Sequence, residues 1–288
     1  MKAIYKREFQ SYFNAMTGWI FTGVMTAFIG IYFMAYNLVN GSAYFSYALS
    51  AVLFLFMVLV PLLTMRSMAE ERRSRTDQLL LTSPVSISGV VLGKYLAMMS
   101  VFLVPVLIAC LCPLIIKLNG TAFFRADYGT LLAFFLLGGV QIALGLLISS
   151  LTESQLIAAV GTFSALLVFY LWDGLVSFLP SSAAGSLAGL LVLLAAVCFV
   201  LDTLSGSWKL SACVGAAGAA ALLGFYFADS SKFSGLLPNL LNSFSLMDAF
   251  TSFAADHVFD LRGILLYLSL IALLLFLTCQ VLQKRRWN

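Results

Sequence analysis

The chain has 288 residues, of which 62% are hydrophobic and only 10% charged, with a formal net charge of +4. Soluble domains carry about 25% charged residues, so this composition excludes a water-exposed globular fold and places the chain in lipid. The net charge is too small to identify a partner, and nothing in the pattern points to nucleic acid; the placement of the charges says more.

A bilayer core about 30 Å thick needs roughly 20 apolar residues per helix. Residues 1–14 read as a helix lying on the membrane. Met1, Ile4, Tyr5, Phe9, Tyr12 and Phe13 fall on one face, and Lys2, Lys6 and Gln10 on the other. The apolar run that follows is too long for a cleaved signal peptide and lacks a small-residue cleavage site, so it is expected to stay as the first span. Spans are then predicted at 17–39, 43–64, 95–117, 129–151, 156–179, 186–204, 209–228 and 263–283, eight in all. The linker Ser205–Trp208 is short, and reading 186–228 as a re-entrant hairpin would leave six spans. The expected fold class is therefore all-α: a polytopic transmembrane helical bundle, one membrane domain over 1–288 with no soluble domain. An external stretch, 229–262, carries Leu237, Leu240, Leu241 and Phe244 at the spacing of a short amphipathic helix.

Lys and Arg set the orientation. One side holds Lys2, Lys6, Arg7, Arg66, Arg72, Arg73, Arg75, Lys94, Lys209, Lys284, Arg285 and Arg286, and the other holds Lys117, Arg125, Lys232 and Arg262. Twelve against four puts both termini and the 65–94 loop in the cytosol of a multi-pass plasma or inner membrane protein.

That loop opens with eighteen residues free of helix breakers, and Pro84 then disfavours helical geometry at Ser83. A helix there would align Arg66, Glu70, Arg73 and Asp77 as one stripe of alternating charge, with Glu71 and Arg75 as a second pair. Such a rod, tied to two spans, suits docking of a cytosolic partner, because alternating charge gives register and partner choice. A helix that is merely solvated is the plainer alternative.

Other chemistries find little support. Gly89-Val90-Val91-Leu92-Gly93-Lys94-Tyr95 is one residue short of a phosphate-cradling loop and lacks its hydroxyl, so the chain is expected not to be an enzyme, with no cofactor of its own. His257 beside Asp256 and Asp260 lacks the ligand set of a closed metal site. Cys110, Cys112, Cys198, Cys213 and Cys279 fit no zinc or disulfide spacing and read as small hydrophobes. Asp173 and Asp202 stand near span ends, and a central carboxylate of the kind an ion-coupled carrier needs is missing. The pairs Gly185/Gly189 and Gly139/Ala143 mark close helix contacts, read first as packing within one subunit and second as the seam between two copies of the chain.

The run Pro61-Leu62-Leu63-Thr64-Met65-Arg66, Ala69-Glu70-Glu71, Thr76 to Thr82, Pro84 and Gly93-Lys94 resembles the permeases of type-2 ABC exporters. It is nearest the gliding-motility and nitrous-oxide-reductase-maturation branch, as are Ser150 to Gln155 and the terminal Lys284-Arg285-Arg286-Trp287. Residues 1–14 match the family's elbow helix, whereas an extra hairpin departs from its usual six core spans. The resemblance implies a permease pairing with a second copy, as homodimer or heterodimer, and with two ABC ATPase subunits that hold ATP and Mg. Segment 65–83 would be the coupling helix, with Glu70 and Glu71 at the ATPase contact, Arg66, Arg73 and Asp77 supporting, and Glu153 in a second touch point. An extracytoplasmic accessory protein is a further conceivable partner. Apolar walls suit a lipidic, amphipathic or polymeric cargo. The runner-up is a membrane anchor that docks an ATPase without forming a path, and a channel or carrier comes third.

Overall fold

In lipid, backbone polar groups must be satisfied within their own segment, which favours helices. Every regular element among the described residues is helical. The computed structural model describes residues 1–76, 86–205, 235–257 and 260–287. Two compact units are formed, one from Met1–Tyr170 with Leu246–Asn288 and one from Leu171–Ser245.

The larger unit begins with α1 (Lys2–Asn14), followed by α2 (Thr17–Phe33), which continues as a π-helical turn through Val39. Next come α3 (Ser46–Thr64), the short α4 (Ala69–Arg73), α5 (Ile87–Ala109) and α6 (Cys112–Asn119). Then follow α7 (Phe124–Leu151) and α8 (Gln155–Tyr170). The smaller unit holds α9 (Trp172–Ser177), α10 (Ala183–Ser205) and α11 (Leu236–Asn242). The chain returns to the larger unit with α12 (Leu246–Ala254) and α13 (Leu261–Trp287).

Helix α7 is the hub of the larger unit, packing against α3, α5, α8, α12 and α13. Small residues make this possible. A Cβ added to Gly145 would run into the Thr64 side chain of α3, and one on Gly138 into the Phe102 ring of α5. Gly139 faces Tyr95 and Ile271, and Ala143 is fully buried, so this pair serves packing within the chain. Phe102 also joins Phe56 and Phe134, with ring centroids 5.4 and 5.9 Å away, in the aromatic centre of the core. In the smaller unit, Gly189 lies against Leu237, and Trp172 Nε1 donates to the Leu241 carbonyl at 3.0 Å.

Five helical stretches among the described residues are long and apolar enough to cross a membrane: Thr17–Val39, Ser46–Arg73, Ile87–Asn119, Phe124–Leu151 and Leu261–Arg285. They correspond to the predicted first, second, third, fourth and last spans. The predicted 156–179 span differs, because α8 stops at Tyr170 after 16 residues and the chain restarts as α9. At 1.5 Å per residue, α8 is about 24 Å long, short of a full crossing. Helix α10 covers the predicted 186–204 span, while 209–228 lies outside the described residues. Among its described residues, the 229–262 stretch holds the short helices α11 and α12. Leu237 is buried on α11 while Leu240 and Phe244 are exposed, and α12 buries Leu246, Phe250 and Phe253. Of the cysteines, Cys112 is buried and Cys110, Cys198 and Cys279 are half-buried, all as free thiols; Cys213 lies outside the described residues.

Two charges lie deeper than the span boundaries had suggested. Helix α7 starts five residues before the predicted 129, so Asp127 falls in its first turn, fully buried. Its Oδ1 accepts the Phe45 N–H at 2.8 Å, which caps the N-terminus of α3 from a neighbouring helix. Helix α5 likewise starts at Ile87, with the Ser86 hydroxyl accepting the Gly89 N–H at 3.2 Å. Lys94 is therefore two turns inside the helix and only 1% exposed.

Candidate functional site

The last carbonyls of a helix lack partners within it and must find them elsewhere. Where α3 ends, three side chains from three helices do this work. Tyr12 Oη of α1 donates to Leu63 O at 3.2 Å, Ser149 Oγ of α7 donates to Met65 O at 3.3 Å, and Lys94 Nζ of α5 donates to Ser67 O at 2.8 Å. Burial pushes the Tyr12 phenol well above its ordinary range, which keeps it a donor.

Ser149 has a second task. Its Oγ accepts the N–H groups of Met68 and Ala69, each at 3.1 Å, at the start of α4. Met68 and Ala69 are both buried, and Met68, in the N-cap position, has no side-chain cap to offer. The cap that serine commonly supplies from within the sequence here comes from the fourth span.

Helix α4 is only five residues long. The expected eighteen-residue helix is interrupted in its described part. The Thr76 N–H bonds Glu71 O at 2.9 Å and the Arg75 N–H bonds Arg72 O at 3.1 Å, with Arg75 at φ 56°. This is a Schellman closure, achieved here by a residue that must adopt the left-handed region without being glycine. Pattern reading saw no breaker because Arg is a good helix former.

The predicted charges fall into two groups. Arg66 and Glu70 pair as expected at four-residue spacing and bidentately, with Nε–Oε2 at 2.8 Å and Nη2–Oε1 at 3.0 Å. Both are partly open to solvent, and Arg73 is exposed beside them. Glu71 does not pair with Arg75, because the left-handed turn ends the shared helical face. Its Oε1 instead meets Lys94 Nζ at 2.9 Å and Arg7 Nη2 at 2.9 Å. Glu8 Oε1 meets the same two atoms, at 3.1 and 2.6 Å. Arg7, Glu8, Lys94 and Glu71 thus form a closed ring of alternating charge. Its hydrogen bond to Glu8 raises the Arg7 guanidinium above its ordinary value, with the charges of Glu8 and Glu71 adding to this against the lowering by burial. Lys94 has three N–H donors, and Ser67 O, Glu8 and Glu71 supply three acceptors.

Glu153 is brought to the same place from beyond α7. Its Oε1 lies 2.7 Å from Arg72 Nη2, and Arg72 Nη1 also reaches Ser150 O at 3.4 Å. Glu153 is 72% exposed, and exposed pairs contribute about 0–1 kcal/mol. Glu153→Ala is accordingly expected to lower thermal stability by less than about 1 kcal/mol, measured by heat denaturation of the purified chain. A larger loss would mean that the Arg72–Glu153 contact carries more of the fold than its exposure implies. Asp77 lies outside the described residues.

A cavity of about 290 Å³ opens between α1 and the 66–76 segment, with Arg7, Glu8, Ser11, Arg66, Glu70 and Thr76 among its walls. Sequence reasoning missed Glu8, Lys94 and Ser149. Glu8 interrupts the apolar face of α1 beside Tyr5, Phe9 and Tyr12, and that was the available signal. At the other end of the larger unit, the His257 ring stacks on Tyr44 with centroids 3.9 Å apart, and Tyr44 stacks on Phe123 at 4.7 Å.

The site is a short charged helix held from behind by side chains of α1, α5 and α7. No curated protein matches the chain. The family described as ABC-2 family transporter protein matches residues 2–277. With its set of apolar membrane-length helices, the chain belongs to that family: it is a multi-pass membrane permease of an ABC transporter, a transport component that is not itself catalytic.

Proposed function

We propose that this permease couples ATP binding and hydrolysis on a separate pair of ATPase subunits to export of a substrate, and that the 65–83 segment is where the ATPase pushes. The proposal includes cytosolic placement of both termini and of this segment in the plasma or inner membrane, supported by the Lys and Arg asymmetry. It also includes a second permease copy, and the branch resemblance carried by the 61–94 run.

The observation that carries this reading is the division of labour on α4. Glu70, paired with Arg66, and Arg73 face outward, while Glu71, Arg72 and the backbone of Met68 and Ala69 are tied inward. The outward Arg66–Glu70 pair and Arg73 are open to solvent and can select a partner, and inward ties make the element stiff enough to pass a displacement into α5 and α7. ATP-driven closure then acts by binding one arrangement of the permease pair better than the other. Glu70 and Arg73 are the proposed ATPase contacts, Glu71 backs them, and Glu153 is the second touch point.

Charge reversal at Glu70 tests this without breaking the ring that holds Glu71. Glu70→Lys is expected to cost about 2–5 kcal/mol of ATPase binding, a factor of roughly 30 or more in affinity. The measurement is co-purification of the Walker-motif ATPase with the full-length permease, together with its hydrolysis rate. If both survive the reversal, the docking role of Glu70 is wrong. Substrate-stimulated hydrolysis in liposomes separates a transporter from an anchor.

A further inference from the structure

We propose that Lys94 is a positioning residue that locks the elbow helix α1 to α4, so that the surface helix and the proposed ATPase-facing segment move as one body. The functional half of this inference rests on the reading just given; the lock itself does not.

Helix α1 packs on α5 and α2, while α4 packs on α7 and α8. Between α1 and the 66–76 segment there is an open cavity of about 290 Å³ with a mixed polar and apolar lining, not an apolar seam. What joins them is charge. Arg7 and Glu8 come from α1, Glu71 from α4 and Lys94 from α5, and each acidic oxygen bridges the same two cationic nitrogens at 2.6–3.1 Å. The ring closes only when α1 contributes its adjacent pair of opposite charges. Take Glu8 away and Lys94 keeps one carboxylate, while the tie left between α1 and α4 is Arg7–Glu71, a pair open to solvent at its arginine end and therefore weak. Take Lys94 away and the buried cation of the ring is gone, leaving both carboxylates to share one solvent-exposed guanidinium, a weak tie between α1 and α4.

Position strengthens the case. Lys94 is 1% exposed, so water cannot replace a lost partner, whereas Arg7 on the outer side of the ring is 56% exposed. Lys94 also holds Ser67 O, so the backbone leading from α3 into α4 is fixed by the same ammonium. The adjacent Gly93 lets Ile4 of α1 close on α5, which brings the elbow within reach of the ring. A purely stabilising role would require only that Lys94 be neutralised, and Glu71 alone would do that. The addition of an Arg–Glu pair from the surface helix makes the connection mechanical.

The test uses the full-length chain in nanodiscs, with native cysteines replaced by alanine and nitroxide labels at Ser11→Cys and Ser74→Cys, on the two walls of the cavity. Close, fixed labels broaden the continuous-wave spectrum. The parent is expected to be broadened, and both Glu8→Ala and Lys94→Met are expected to lose the broadening as the two walls separate. Glu8→Ala leaves Lys94 its Glu71 and Ser67 O partners and decides the matter if Lys94→Met does not fold. If broadening persists in folded Glu8→Ala, the lock is overturned. If it is lost while no ATPase associates with the parent chain, the lock stands and the docking reading falls instead.

Discussion

Gly145→Ala is expected to destabilise the bundle by about 1–3 kcal/mol, the usual cost of forcing an extra methyl into a packed core. The new Cβ would overlap Thr64, whose side chain is fully buried and whose Oγ1 is committed to Val60 O at 2.9 Å. Neither helix can easily withdraw. Helix α7 is also held by α5 and α13, and α3 leads directly into the fixed 65–69 backbone. Heat denaturation of the detergent-solubilised chain measures the effect. Gly30→Ala is the control, since a Cβ there meets nothing within 4 Å, and it is expected to be neutral. Adding Thr64→Ala to Gly145→Ala should recover part of the loss, as coupled neighbours do. Equal stability of Gly145→Ala and the parent would show that the helices are less closely packed than described.

The second large effect is expected at Ser149→Ala. It strips the acceptor from the buried N–H groups of Met68 and Ala69, and each buried donor left unsatisfied costs about 1–3 kcal/mol. It also frees Met65 O. The loss is local, because the charge ties of Glu71, Arg72 and Lys94 offer nothing to these two N–H groups, so the backbone at the start of α4 should open before the bundle melts. Hydrogen exchange at Met68 and Ala69 should accelerate strongly while that of α7 stays protected. Ser150→Ala, one residue on and equally buried, is the control, since its Oγ donates to Leu147 O of its own helix. Unchanged exchange in Ser149→Ala would remove Ser149 from its place as the cap of α4.

The bundle was legible because apolar runs of membrane length have few other physical solutions. Five stretches fall close to where hydropathy put them, and α1 has its apolar face where the 3–4 spacing predicted. Boundaries were less legible. A window that averages hydropathy stops at the first charge, and so placed Lys94 and Asp127 outside their helices, although one is paired by ring partners and the other by the Phe45 N–H. Of the site, the Arg66–Glu70 pair was visible because it is local in sequence. The bonds from Glu71 to Lys94, and from Ser149 to Met68, span helices that only the packed bundle brings together. The Schellman turn was hidden for another reason: Arg75 adopts a backbone conformation that its residue type seldom signals.

The ring of Arg7, Glu8, Glu71 and Lys94 also imposes an order on biogenesis. Three of its members are synthesised by Glu71, but the buried cation comes only with the first turns of α5, and Ser149 only at the end of α7. Until then Glu8 and Glu71 have only the Arg7 guanidinium to share, and the N–H groups of Met68 and Ala69 lack the Ser149 hydroxyl that accepts them. On the docking reading proposed above, an ATPase meeting the chain before Lys94 and Ser149 arrive would find the charges of α4 without its shape. The shape of α4 is therefore complete only once the fourth span is in place.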